Sequence, residues 1–136
     1  MSFHLKVVAI DRLLFEGEID KMQVTTTDGQ LTILPNHIPL IAILKIAPLV
    51  IDQAGEKKYL AISGGYMSIQ RHETLIVADI AEWAHEIDVE RVEEAKMRAQ
   101  QAIANPLEFV DVKVAEKELK KAINRLDVYE LYHKSR

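Results

Sequence analysis

The sequence predicts an α+β chain: an antiparallel β-sandwich over residues 1–84, followed by an antiparallel two-helix hairpin over residues 85–136. Three observations carry this reading. Short apolar segments separated by turn residues fill the chain as far as Asp79. The composition then changes after Trp83: from Asp88 onward there is no Gly and one Pro, and Ala, Glu, Lys, Arg and Leu dominate, as in helices. In that second part apolar residues recur every three or four positions.

Taken in order, Phe3, Leu5 and Val7 alternate with polar or small neighbours, as a strand with one buried face requires. Leu14 to Ile19 and Met22 to Thr26 are further short segments, punctuated by Gly17, Asp20-Lys21 and Asp28-Gly29. Gly29 can take a positive φ without a Cβ clash, which marks a tight turn. Leu31 to Leu34 runs on as a strand. Pro35 and Pro39 bracket a rigid loop, since each lacks an N–H and pushes its predecessor toward extended geometry. The apolar run Ile38 to Leu44 follows, then Ala47 to Ile51, Lys57 to Ser63, Tyr66 to Gln70 and Thr74 to Asp79, with Ala54-Gly55-Glu56 and Gln70-Arg71-His72-Glu73 as solvent-facing tips. Strands this short form a sandwich or a barrel-like sandwich. Gly64-Gly65 suggests a phosphate loop at first sight. No helix or Lys-Ser/Thr follows it, so a bulge or a sharp corner between strands is the better reading.

Asp88 is a good N-cap for the first helix, and Glu90 stands in the first turn, where the helix dipole favours negative charge. Val89, Val92, Ala95, Ala99 and Ala102 form its apolar stripe, and Asn105-Pro106 ends it. Asp111 can cap the second helix, whose stripe is Val112, Ala115, Leu119, Ala122, Leu126 and Tyr129. Two such helices with a short connection pack antiparallel. The first offers mostly alanine, and each alanine buries roughly a third of what a leucine would by its methylene count. Two readings stay open: a marginal hairpin that can open or dock elsewhere, and an ordinary stable one.

A chain of 136 residues can bury a core, and 49% apolar with 28% charged residues is the composition of globular proteins. The net charge of -4 provides no basic field for nucleic acid. The lack of cysteine removes disulfides, thiol catalysis and thiolate zinc sites. No apolar run approaches the roughly 18 residues of a membrane span, and the N-terminus has no signal-peptide pattern, so membrane association is expected only through a partner. His4, His37, His72, His85 and His133 are scattered with no pair at helical ligand spacing, so no metal site is expected. His37, between two prolines, has no serine or cysteine nucleophile placed by sequence to use it, and a packed or partner-facing role suits it better.

An antiparallel hairpin would bring Arg91 level with about Asn124, beside Arg125, with Lys121 one turn away and Arg98 two turns along from Arg91. Like charges held together repel unless anions share the site. Carboxylates can supply the anions: Asp88, Glu90, Glu94 and Asp127 as surface pairs, each worth under about 1 kcal/mol. The other solution is a bound polyphosphate gripped by guanidinium groups. Spacing does not decide between them.

Three motifs carry a family resemblance: Leu31-Thr32-Ile33-Leu34-Pro35-Asn36-His37-Ile38-Pro39-Leu40, Ser63-Gly64-Gly65-Tyr66, and Ile87-Asp88-Val89-Glu90-Arg91. In this order the chain resembles, over essentially its whole length, the epsilon subunit of F-type ATP synthases. The resemblance implies a non-catalytic rotor subunit of the central stalk, peripheral on the cytoplasmic face of the cell membrane. Its β domain would clamp the gamma subunit and touch the c-ring, with Asn36, His37, Ile38 and Leu40 as contact candidates. Its hairpin would switch to an extended state that reaches the alpha and beta subunits and blocks ATP hydrolysis. Lys113, Lys117 and Lys120, with Lys121 and Arg125, form a basic series that could meet acidic segments of the beta subunits, or be a solvated face. Some bacterial members bind ATP at the foot of the hairpin through a pattern I/L-D-x-x-R-A, as a ligand and not a substrate, and magnesium dependence is left open. Here Ile87, Asp88 and Arg91 match, Val92 stands where alanine is usual, Glu82 takes an adenine-side acidic position, and Arg125 matches a phosphate-contacting arginine. Lys121 stands where better binders have arginine; it offers a point charge instead of a fork. Valine adds bulk beside a tight ligand, where overpacking costs about 1–3 kcal/mol. A reading from a different class is a free-standing β-sandwich binding module dimerising through the hairpin. A third, an enzyme using His37, would lose turnover in His37→Ala.

Overall fold

The computed structural model describes residues 1–106 and 111–134. Eight strands come first: β1 Phe3–Ala9, β2 Arg12–Ile19, β3 Lys21–Thr26, β4 Gly29–Ile33, β5 Leu40–Gln53, β6 Glu56–Ile69, β7 Thr74–Ala78 and β8 Ala81–Trp83. A 3-10 turn over Ala84–Glu86 leads into α1 Val89–Ala104 and α2 Val112–Lys134. The strand order is β2-β1-β7-β6-β5-β3-β4, with β8 also on β6.

Alternation drives the fold. Leu5 and Val7 of β1, Met22 and Val24 of β3, and Leu49 and Ile51 of β5 all point inward and join one core with Leu60, Ile62, Met67 and Ile76. Residues from both ends of the strand order share that core, so the sheet wraps over itself into a sandwich. The closure is visible where Gln53 Nε2 of β5 donates to the Glu18 carbonyl of β2 at 2.8 Å, although these strands are not sheet neighbours.

The structure departs from the sequence reading in three respects. The sheet is mixed, since β1 and β7 pair in parallel, Leu5 opposite Thr74 through Ala9 opposite Ala78. Parallel pairing joins strands far apart in the chain, and alternation within each strand carries no sign of it. Second, the expected segments Ile38–Leu44 and Ala47–Ile51 merge into one strand, which begins only at Leu40, and Lys57–Ser63 and Tyr66–Gln70 merge into another, which ends at Ile69. Gly64 (φ 80°) and Gly65 (φ 124°) bend β6 without breaking its register against β5, so they form a corner inside a strand. A Cβ at Gly65 would collide with the Val77 carbonyl oxygen. Third, β8 is too short to show a period.

The helices begin as their caps predict. Asp88 Oδ1 accepts from the Arg91 N–H at 3.4 Å, and Asp111 Oδ1 accepts from the Lys113 N–H at 2.9 Å. α1 ends at Ala104, before Asn105-Pro106, and residues 107–110 of the expected connection lie outside the described part. α2 lies on β5 and β6, and α1 packs on α2. A second core forms there from Tyr59, Ala61, Ala84, Ile87, Val92, Ala122 and Val128.

Candidate functional site

The seam between sheet and hairpin holds a cleft of about 300 Å³ lined by Arg12, Glu82, Ala95, Glu118, Lys121 and Arg125, among others. β8 presents Glu82 and α2 presents Lys121 and Arg125, one helical turn apart on one side. Arg125 grips Glu82 with both ends of its fork: Nε donates to Oε1 at 2.8 Å and Nη2 to Oε2 at 3.2 Å. Lys121 Nζ stands 3.3 Å from Glu118 Oε1. Of the bland and polyphosphate solutions to the clustered cations, the structure contains carboxylate pairing, although by Glu82 and Glu118 and not by the carboxylates the sequence suggested.

Arg12 was not foreseen. Nothing local marks it, because it stands far from the hairpin in sequence and reaches the cleft only when β2 wraps across. Its Nη1 and Nη2 each donate to Glu86 at 2.8 Å, and Nη2 also donates to the Ala81 carbonyl at 3.2 Å. The Trp83 N–H donates to the same Glu86 carboxylate at 3.0 Å. The Arg12 bonds, followed by the backbone one, hold the Glu86 carboxyl down at about 2, and Glu86 in turn raises the Arg12 guanidinium. The link from sheet to hairpin is therefore clamped beside the cleft.

The hairpin register is the one spacing predicts. Val89 and Glu93 share a groove with Leu126 and Ile123, and Ala99 and Ala102 share another with Ala115 and Val114. Side-chain direction divides the expected constellation. Arg91 is exposed at the start of α1 and does not line the cleft, and exposed Arg98 lines the neighbouring groove instead. Val92 is 0% exposed and packs with Ala61, Ala122 and Val128; it does not itself line the cleft, but Ala61 and Ala122, which do, lie against it. Ile87 is likewise buried, and Asp88 serves as the N-cap. Asn124 is buried and donates to the Ile62 carbonyl at 3.1 Å, pinning α2 to β6. Its place one helical position from Arg125 gave no warning of this.

The partner candidates lie elsewhere. Asn36 takes φ 65° in the loop between the prolines, and the His37 Nδ1–H donates to the Ile38 carbonyl at 2.8 Å. Ile38 is 78% exposed, Ile41 77% and Ile43 62%, with Leu40 less open, so an apolar ridge runs from the loop into β5. Lys113, Lys117 and Lys120 are exposed along α2. Among the described residues no helix is long and apolar enough to cross a membrane.

Residues 2–84 match the family of the ATP synthase delta/epsilon chain β-sandwich domain, and residues 85–130 match its long α-helix domain. The ATP synthase epsilon chain of Bacillus cytotoxicus is 39% identical over 127 residues, covering 93% of this chain and 96% of that one. That of Desulforamulus reducens is 40% identical over 126 residues, with the same coverage. A chain in the Euglena gracilis mitochondrial ATP synthase shares the fold at a TM-score of 0.81 and 22% identity, over 93% of this chain and 79% of that one. The two domain matches in sequence order, with these identities over nearly full lengths, show that the chain belongs to the ATP synthase delta/epsilon chain family as an epsilon-type, non-catalytic stalk subunit.

Proposed function

We propose that this chain links the catalytic head of a proton-translocating ATP synthase to its c-ring, and that its hairpin is a mobile arm that restrains ATP hydrolysis and takes ATP as a regulatory ligand. In this reading the sandwich holds the gamma subunit, and the loop and ridge of Asn36, His37, Ile38 and Leu40 meet stalk partners at the cytoplasmic face of the cell membrane. The exposure of that ridge supports an apolar partner. Lys113, Lys117 and Lys120 meet the alpha and beta subunits when the hairpin extends.

The observation that carries the nucleotide part is the Arg125–Glu82 pair at the mouth of the seam cleft. Glu82, Lys121 and Arg125 come together from sheet and hairpin only while the hairpin is folded. A polyphosphate bound there would favour the folded state by its differential affinity for it. Arg125 would exchange its carboxylate fork for phosphate oxygens, and Arg12 adds a cation on the same wall. Ile87 and Asp88 act at this site through the fold of the linker, while Arg91 and Arg98 would need to turn inward to reach a phosphate chain.

The test is calorimetric titration of the intact chain with ATP, with and without magnesium and beside ADP, in wild type and Arg125→Ala. Saturable one-to-one binding lost in Arg125→Ala is the expected result. An unchanged affinity removes the site assignment. Separately, truncation after Ala84 in the assembled enzyme should raise ATP hydrolysis, and no change sinks the inhibitory role.

A further inference from the structure

The outer face of the sandwich, away from the hairpin, gathers a second set of donors. His4 lies in β1, Glu16 in β2, and Glu73 in the turn before β7, and one ligand atom from each lies within 4.8 Å of the others. We infer that His4, Glu16 and Glu73 form a site for a divalent transition metal, with Zn²⁺ the ion that this donor set fits best.

Strand register builds the site. The β1–β2 ladder sets Glu18 opposite His4 and Glu16 opposite Lys6, so Glu16 is the diagonal neighbour of His4 on one face. The parallel β1–β7 ladder sets Leu5 opposite Thr74, which brings Glu73 up beside His4 from the other side. An imidazole is thus flanked by carboxylates from both neighbouring segments. No sequence spacing shows this, because the parallel pairing is itself invisible in the sequence.

Two carboxylates of β2 already face the histidine ring. Its Nε2 is 3.1 Å from Glu16 Oε2, and its Nδ1 is 3.6 Å from Glu18 Oε1. Without an ion the His4 Nε2–H donates to Glu16 Oε2; on metal binding that proton leaves, and the freed Nε2 takes the ion with the remaining proton on Nδ1, the side of Glu18. A carboxylate bonded to the second ring nitrogen fixes tautomer and ring direction at zinc centres, and Glu18, 3.6 Å from Nδ1, is placed to close onto it. Two carboxylates and one neutral imidazole offset the charge of a divalent ion. Glu16 and Glu73 are exposed and can rotate the last distance onto it. His4 and Glu73 also line an open cleft of about 240 Å³, which gives an entry path and room for water in the remaining position. Mg²⁺ is a poor match, since it demands oxygen ligands in near-ideal octahedral geometry.

The experiment is calorimetric titration of the intact chain with Zn²⁺, and with Mg²⁺ as comparison, in wild type, His4→Gln, Glu73→Gln and His133→Ala. Glu73→Gln changes an exposed turn residue and so leaves the fold intact even if His4→Gln does not. One-to-one Zn²⁺ binding is expected, weakened at least about 10-fold by His4→Gln and by Glu73→Gln and unchanged by His133→Ala. In the bound state the His4 Nε2 ¹⁵N resonance shifts as a ligating nitrogen. No Zn²⁺ binding, an affinity insensitive to Glu73→Gln, an equal loss in His133→Ala, or equally tight Mg²⁺ binding overturns the assignment.

Discussion

Val92→Ala tests how the hairpin is held. α1 buries two side chains outright, Val92 and Ala99, so Val92 is its one large anchor. It touches the second core, where Ala122 and Val128 of α2 meet Tyr59 and Ala61 of β6. Removing two methyl groups forfeits about 1.6 kcal/mol at ~0.8 kcal/mol per carbon. The cavity adds a few tenths more in a site lined by alanines that close in only partly, for a total of about 2 kcal/mol. If the hairpin opens as its own unit, hydrogen exchange of α1 amides should accelerate by about 30-fold, while amides of β1, β3 and β7 keep their rates. An acceleration under about 3-fold would show that Val92 does not anchor the hairpin. Equal acceleration in sheet and hairpin would show that the two do not open separately. Since Val92 does not itself line the seam cleft but stands behind Ala61 and Ala122, Val92→Ala should not tighten ATP binding; tightening would mean that its bulk crowds the ligand through them.

Two further predictions follow from the clamp and the corner. The folded Glu86 carboxyl sits at about 2, below its ordinary 4.5, so its contribution is fully present above pH 4.5 and is lost as pH falls toward 2. Because both partners are about a third exposed, solvent screening brings this to about 1 kcal/mol, and Arg12→Ala should flatten the acid limb of a Tm–pH profile by that amount; profiles that superimpose would discard the clamp. Gly65→Ala forces a Cβ against the Val77 carbonyl at an unfavourable φ, and should destabilise the sandwich by about 3 kcal/mol or more in urea unfolding. A loss under about 1 kcal/mol would show that β6 bends freely there.

Much of the fold was legible because its signals are local. Alternation in Leu5 and Val7, the Asp28-Gly29 turn, the caps Asp88 and Asp111, and the stripe from Ala115 to Tyr129 each depend on a few neighbouring residues, and all stand in the structure. Even the hairpin register followed from one helix end, near Ala104, and one cap, Asp111. The site was legible only in part. Glu82, Lys121 and Arg125 were named and do meet, yet Arg91 and Arg98 were named from level alone, and a rotation of roughly 100° per residue sends Arg91 outward while Val92 beside it points in.

The sequence by itself determined the class of fold, the division into sandwich and helices, and the family, because period, capping and motif order are properties of short stretches. Only the tertiary structure decided which distant residues share a place. The wrap of β2 carries Arg12 to Glu86, and the parallel pairing of β1 with β7 carries Glu73 to His4. The docking of α2 turns Asn124 onto the Ile62 carbonyl. Each of these is a long-range pairing set by how the whole core closes, and no local pattern encodes it.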